Sequence, residues 1–187
     1  MAAPLKSNIK EKILITTTNL MQNKSFNDIS LAGIAKAAKI SKGTLYYYYN
    51  NKEDILFDIT DNYLSKLSDD LIAWVENKEK DTSIPRLIRY VLDRSSTNEF
   101  GSLRLYLAGA AVSGNETLRE KYVERYHYFK NTIRDKIIER CPKTDGDYVA
   151  WLLLTIMDGI LIQNQLGNPE FNKKEFIEKT VELITKN

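Results

Sequence analysis

From Thr117 to Arg140 an apolar or aromatic residue returns every three or four positions, at Leu118, Tyr122, Tyr126, Phe129, Ile133 and Ile137. That spacing gathers all six on one face of an α-helix but scatters them over both faces of a strand, so only a helix lets them be buried together. The same stripe recurs at Leu56, Ile59, Tyr63, Leu67, Leu71 and Trp74. It predicts a helix from Lys52 to Asn77, roughly 26 residues and about 39 Å long. Only 8 Gly and 4 Pro stand among 187 residues, too few turns for a many-stranded sandwich or barrel. The chain is expected to be all-α.

Shorter periodic segments precede the long helix. Ile9, Ile13, Thr17, Leu20 and Met21 mark a first helix from about Asn8 to Gln22, ending near Asn23-Lys24-Ser25. Phe26 and Ile29 follow in a short polar connection. Ser30 then stands before Leu31, Ile34, Ala35 and Ala38 as an N-cap precedes an amphipathic helix, here of about nine residues. Ser41 is placed to cap a third helix, with Leu45 and Tyr49 inward and Lys42, Thr44, Tyr46, Tyr47 and Tyr48 on its other face. Four consecutive tyrosines favour a strand by propensity, yet an isolated strand over 44–49 has no partner and is not stable. A supporting helix followed by two short helices around a tight turn is a helix-turn-helix, whose second short helix enters the major groove.

Downstream, Asn51 is placed to cap the long helix, with Asp54 completing a near capping box. After a polar break over 78–83, Pro85 suits the first turn of a helix bearing Leu87, Ile88, Val91 and Leu92. Another helix is expected around Ser102 to Val112, closed by Ser113-Gly114-Asn115, and Cys141-Pro142 ends the one from Thr117. From Asp147 to Gly167 the apolar residues lie all round the axis, so that helix must be covered on two sides. A last helix carries Phe176, Ile177, Val181 and Ile184.

Charge is unevenly distributed. Residues 1–52 hold eight lysines against Glu11 and Asp28, while the whole chain is only +2. A basic end on a mildly acidic body suits a polyanion, either nucleic acid or an anionic membrane surface. The lone Cys141 and lone His127 exclude a disulfide framework and a closed zinc site, which fits a reducing cytoplasm. Lys6, Lys10, Glu11 and Lys12 interrupt any secretory h-region in Met1–Thr18, and the apolar stretch Val149–Ile162, with Thr155 and Asp158, is too short to span a bilayer. No site for chemistry assembles. Glu124 and His127 make half of a di-iron Glu-x-x-His pair without the second histidine. Gly109 to Gly114 has the glycine spacing of a phosphate loop but Asn115 where Lys is needed. Cys141 has no His or Cys near it in sequence. No enzyme activity, cofactor or metal is expected.

The run Ile34-Ala35-Lys36-Ala37-Ala38-Lys39-Ile40-Ser41-Lys42-Gly43-Thr44-Leu45-Tyr46-Tyr47-Tyr48-Tyr49, followed by Asn51-Lys52-Glu53-Asp54-Ile55-Leu56, resembles the DNA-binding signature of the TetR family of bacterial transcriptional regulators. The resemblance covers about residues 8–57. Three positions depart from the family pattern: Ser25 stands for Gly after the first helix, Gly33 for an acidic residue, and Lys39 for the Gly of the turn. A non-Gly residue held left-handed there costs roughly 1 kcal/mol.

What the resemblance implies is an N-terminal three-helix helix-turn-helix DNA-binding domain over 1–51 and a larger helical effector-binding and dimerisation domain over 52–187, with 52–77 as the connecting helix. It implies that Lys42, Gly43, Thr44, Tyr46 and Tyr47 approach base edges or the adjoining backbone. Tyr48 and Lys52 are implied as phosphate contacts, with Ser30 and Ser41 at the helix starts in the same DNA-binding set. The chemistry agrees: Lys42 can donate to guanine acceptors, Thr44 can touch a thymine methyl, and Gly43 permits close approach. Family members enclose a small-molecule pocket, for which Tyr63, Trp74, Tyr90, Tyr106, Tyr122, Tyr126 and Trp151 are candidates, although an aromatic stripe is also the ordinary filling of a helical core. Inward positions carry few Arg or Lys, so a mostly apolar or aromatic effector is expected. Trp151, Leu152, Thr155, Ile156, Gly159 and Ile162, with Ile177 and Val181 of the last helix, are expected to form a four-helix homodimer interface. The reading is a ligand-responsive repressor on a palindromic double-stranded DNA operator, cytoplasmic and not membrane-bound. The alternative is a non-enzymatic interaction or membrane-surface module acting through Tyr46 to Lys52, which would need a long basic amphipathic helix.

Overall fold

A computed structural model describes residues 3–77, 79–95 and 100–185; Lys78, in the expected polar break, lies outside the described residues. Among the described residues there are nine α-helices and no strand: α1 (Ala3–Met21), α2 (Leu31–Ala37), α3 (Lys42–Tyr48), α4 (Lys52–Glu76), α5 (Ile84–Ser95), α6 (Gly101–Val112), α7 (Glu116–Ile138), α8 (Gly146–Leu166) and α9 (Lys173–Thr185). They form two compact units, Met1–Tyr63 and Leu64–Asn187. The division falls inside α4 and not at its first residue, because Ile55, Leu56, Phe57 and Ile59 of its opening turns are buried with the first unit.

In the first unit Ile13, Ile34, Ala38, Leu45, Ile55 and Leu56 are almost wholly buried, as the stripes on their helices require. Each expected cap forms. Ser30 Oγ accepts the Gly33 N–H at 3.1 Å, Ser41 Oγ accepts that of Thr44 at 2.9 Å, and Asn51 Oδ1 accepts that of Asp54 at 2.8 Å. Tyr49 ends α3 with its ring buried and its hydroxyl donating to Asp58 Oδ2 at 2.7 Å. Lys10 of α1 reaches the same oxygen at 2.8 Å, so one carboxylate of α4 ties α1 to the end of α3.

The first unit departs from expectation in three places. The first helix begins at Ala3 and not near Asn8. A single 3-10 turn, Phe26–Asp28, occupies the polar connection, capped by Ser25, whose φ of −60° needs no glycine. The second helix is seven residues long, not about nine, because Lys39 stops it at φ 50°. There the Lys39 N–H bonds Lys36 O and the Ile40 N–H bonds Ala35 O, the pair of bonds that closes a helix on a left-handed residue. A side chain thus stands where glycine ordinarily serves.

In the second unit Leu71 and Val75 of α4, Leu87 and Leu92 of α5, Ile133 and Ile137 of α7, and Val149, Leu153 and Leu154 of α8 make one core. Arg140 closes the end of α7 by donating to Thr82 O at 2.7 Å, Lys136 O at 2.8 Å and Val75 O at 3.2 Å, which ties α4, the following loop and α7 together. Arg89 of α5 forks onto Glu178 of α9 at 2.7–3.0 Å. Gly167, at φ 59°, ends α8 in the left-handed cap that favours glycine.

Two expectations about α8 and α9 are corrected. Ile177 and Val181 are not interface residues: they are 4% and 2% exposed inside this chain's own core, and the outward apolar residues of α9 are Phe176 and Leu183. On α8, Tyr148, Trp151, Thr155, Gly159, Ile162 and Leu166 are exposed at intervals of three or four, with Leu152 and Ile156 half-buried beside them. Second, α8 as a helix of 21 residues is long and apolar enough by length and composition to cross a membrane, unlike the shorter stretch 149–162. Its inward side chains are part of the second unit's core.

Replacing Lys39 with Gly is expected to raise the stability of the first unit by about 0.5–1 kcal/mol, since left-handed strain at a side-chain-bearing residue is removed. Chemical denaturation of the two proteins checks this, and an unchanged or lower midpoint would show that the turn is unstrained.

Candidate functional site

The inward anchoring of α3 determines what it shows outward. Leu45 and Tyr49 are buried at 0% and 4% exposure, so Lys42, Gly43, Tyr46 and Tyr47, paired four apart, lie on the exposed side. Tyr46 is 51% and Tyr47 68% exposed, unusual for phenol rings on a folded surface. Tyr48 is half-buried and meets Tyr47 edge-on at 5.1 Å. The hydroxyls of Ser41 and Thr44 are 2.8 Å apart, so Thr44 is oriented by the cap. Ser30, Lys36 and Lys39 are exposed on the adjoining helix and turn. Lys42 and the exposed phenols of a capped helix, beside the cations of the adjoining helix and turn, are suited to phosphate oxygens and base edges.

Gly43 has no internal reason to be glycine. A Cβ added there would meet only Ser41 Oγ, at an ordinary 3.7 Å, and its φ is not positive. The missing side chain is available to whatever approaches α3 from outside. Lys52 differs from expectation: its ammonium donates to Phe26 O at 2.8 Å, joining the start of α4 to the 3-10 turn. One of its three donors is therefore committed within the fold.

A second site lies inside the Leu64–Asn187 unit, a cavity of about 100 Å³ among α4, α5, α6, α7 and α8. Of the aromatic candidates it brings together Tyr90, Tyr122 and Tyr126, joined by Phe129. Trp74 stands behind the lining, stacked on Tyr90 at 4.5 Å. Tyr106 is not in the lining, since two residues along α6 rotate it far from Arg104, which is. Trp151 lies two turns before Asp158 and is 49% exposed, and Tyr63 belongs to the first unit.

The expectation of few inward cations is also corrected. Arg94, Arg104 and Arg125 all line the cavity. Arg94 bonds Asp70 at 2.9 Å and lies over the Tyr90 ring, and Arg125 lies over Phe129. Asp158, the one acid of the lining, accepts the Tyr126 hydroxyl at 2.5 Å. Burial raises the pKa of Asp158, with the Tyr126 hydrogen bond and Arg104 opposing it. Burial also pushes Tyr122 up to about 12 and, together with Asp158, moves Tyr126 far above its ordinary value. Both phenols stay neutral donors at physiological pH. Ser68 Oγ is buried in the lining without a hydrogen-bond partner. Among the described residues no three His, Cys, Asp or Glu side chains gather as metal ligands.

Residues 13–59 match the family model of bacterial regulatory proteins, tetR family. Over 184 residues the chain is 25% identical to IcaR, the negative transcriptional regulator of the biofilm operon icaADBC of Staphylococcus epidermidis, covering 94% of this chain and 97% of that one. It is 32% identical over 118 residues to EthR, a transcriptional regulator of Mycolicibacterium smegmatis, covering 63% of this chain and 51% of EthR. The crystal structure of a transcriptional regulator from Saccharomonospora viridis, solved in complex with choline, matches with a TM-score of 0.72 at 20% identity over 97% of each chain. That last likeness extends the shared fold to nearly the whole chain.

Gly43→Ala is expected to stabilise the first unit by up to about 1 kcal/mol through helix propensity while weakening duplex binding. Thermal unfolding and fluorescence anisotropy with labelled DNA read the two effects, and undiminished affinity would remove the close-approach role. Lys42→Ala should lower DNA affinity with stability within about 0.5 kcal/mol, whereas Lys52→Ala should also lose about 1–2 kcal/mol with its bond to Phe26. Equal stability of the two variants would show that the Lys52 bond contributes nothing.

Proposed function

We propose that this chain, which belongs to the TetR family of bacterial regulatory proteins and is a helix-turn-helix transcriptional regulator, represses transcription by binding a palindromic operator as a homodimer and lets go when a small molecule fills its larger unit. The observation that carries the reading is the exposed Lys42, Gly43, Tyr46 and Tyr47 face of a capped α3 inside the matched segment 13–59. Lys42 is suited to guanine O6 and N7, the Thr44 methyl to thymine, and Tyr46 and Tyr47 to bases or the adjoining backbone. Ser30, Ser41, Tyr48 and the remaining donors of Lys52 then hold phosphates. That IcaR is a negative regulator supports repression as the direction.

The exposed stripe of α8, from Tyr148 to Leu166, with Phe176 and Leu183 of α9, supports a two-fold pairing of two copies. Water on such a face is unfavourable, and an isologous four-helix contact removes it. Two α3 helices would then enter successive major grooves, about 34 Å apart. That the Saccharomonospora viridis regulator was solved in complex with choline supports a small-molecule effector for this chain, read here as the occupant of the cavity in its larger unit. Leu64, Leu67, Ser68 and Leu71 of α4 line the cavity, and Asp58 of the same helix holds Tyr49 at the end of α3. A ligand that binds one position of α4 more tightly therefore biases α3, and operator DNA must weaken that ligand by the same factor. A regulator that works on operator DNA is read here as acting in the cytoplasm.

Selection from a random duplex pool should enrich an inverted repeat, bound with a salt slope close to 0.9 per phosphate contact. Ile162→Arg should give a monomer with much weaker operator binding and an intact fold, read by sedimentation and circular dichroism. No enriched motif together with a shallow slope would sink the reading and favour a surface-interaction module. A monomeric wild type would remove the dimer.

A further inference from the structure

We propose that the cavity of the second unit takes a small apolar or aromatic acid with a single carboxylate, anchored by Arg104, while the hydroxyl of Ser68 hydrogen-bonds a polar atom of the same molecule. This rests on the reading of the cavity as the effector site and names the chemistry of its occupant. Two unmade interactions point there. Ser68 is 4% exposed, lines the cavity, and has no hydrogen-bond partner, not even the carbonyl one turn back that a helical serine commonly takes. A buried hydroxyl without a protein partner is unfavourable, and a ligand atom that pairs with it removes that cost. Arg104 is the second: among the described residues it has no ion pair, whereas Arg94 is held by Asp70 at 2.9 Å and Arg125 lies over the Phe129 ring.

The sign of the ligand's charge follows from the lining. Three guanidiniums stand against one carboxylate, Asp158, which is already engaged by Tyr126. Burial raises the pKa of Asp158, so the one negative charge of the lining is also the one most readily lost. An ammonium entering this cavity meets like charge, while a carboxylate meets a planar fork that matches its two oxygens. With a single guanidinium unpaired, one negative charge is matched and a second is not. About 100 Å³ limits the body to one ring or a short chain, packed against Leu71, Tyr90, Phe129 and Met157.

Calorimetric titration of the full chain with benzoate and hexanoate, each beside its alcohol and its ammonium counterpart (benzyl alcohol, hexanol, benzylammonium, hexylammonium), reads the preference directly. The acids are expected to bind roughly tenfold or more tightly than either counterpart. Arg104→Met should erase that preference while the alcohols bind as before, which also reports a folded cavity; Arg104→Gln serves if the first variant does not fold. Equal or tighter binding of the ammonium compounds, a preference that survives loss of the guanidinium, or no binding of either acid at millimolar concentration overturns the proposal. Operator release is measured separately. Acids that bind without releasing DNA uphold this inference and remove the effector reading, and release by a neutral or cationic compound that binds more tightly does the reverse.

Discussion

The side chains of α4 enter two cores in succession. Ile55, Leu56 and Ile59 are buried in the first unit, Leu71 and Val75 in the second, and the helix of 25 residues that carries them has neither Pro nor Gly. Such a helix has no built-in place to kink, because every interior N–H is committed to a carbonyl one turn back. The chain has given the two ends different duties: Asp58 fixes the end of α3 through Tyr49, and Leu64, Leu67, Ser68 and Leu71 form a wall of the cavity. Regulation by a ligand needs such an element, since coupling between sites requires a structure that both can bias.

The first unit shows how a small helical domain leaves its binding face free. Its local order comes from caps and buried anchors: Ser30, Ser41 and Asn51 satisfy helix N–H groups, and Leu45 and Tyr49 fill the interior. None of these needs the outward residues of α3, so Lys42, Gly43 and Tyr46 face outward without serving as caps or buried anchors. Lys39 is the exception, a residue in a left-handed conformation at φ 50° where glycine would relax the turn. Strain of about 1 kcal/mol is retained in folds where the side chain serves something else, and an exposed cation beside α3 is suited to a phosphate.

Much of this was legible in the sequence because periodicity and caps are local properties. The stripes of α4 and α7 gave helices whose limits agree to within two residues, and each capping serine or asparagine stands where its N–H acceptor is needed. What was illegible depends on distance or on rotational phase. Lys52 meets Phe26 across 26 positions, and no pattern around either residue announces it. On α9 the apolar residues Phe176, Ile177, Val181 and Leu183 admit more than one inward face, and packing against α5 selects Ile177 and Val181. Arg104 stands between Leu103 and Leu105 on a helix that reads as apolar, so its place in a cavity lining was concealed. A usable signal did exist in Asp158, an acid in an apolar helix, since a charge kept among Leu and Ile implies a partner such as the Tyr126 hydroxyl.

The polar groups of the cavity also set the scale of what a ligand can do. Moving a regulator from mostly bound to mostly released takes a differential affinity of about 10⁴ between its two states, near 5.5 kcal/mol. Apolar contact with Leu71, Tyr90 and Phe129 is non-directional and survives small shifts of α4, so it discriminates poorly between positions of that helix. Hydrogen bonds behave differently, weakening steeply once donor and acceptor part or misalign. A charge-assisted bond to Arg104 contributes about 1.5–3 kcal/mol, and an ordinary one to Ser68 about 1 kcal/mol. Because Ser68 rides on α4 and Arg104 on α6, a molecule bonded to both measures the separation of those two helices. The unpaired hydroxyl and the unpaired guanidinium are thus the parts of the cavity best able to convert occupancy into a preferred position of α4.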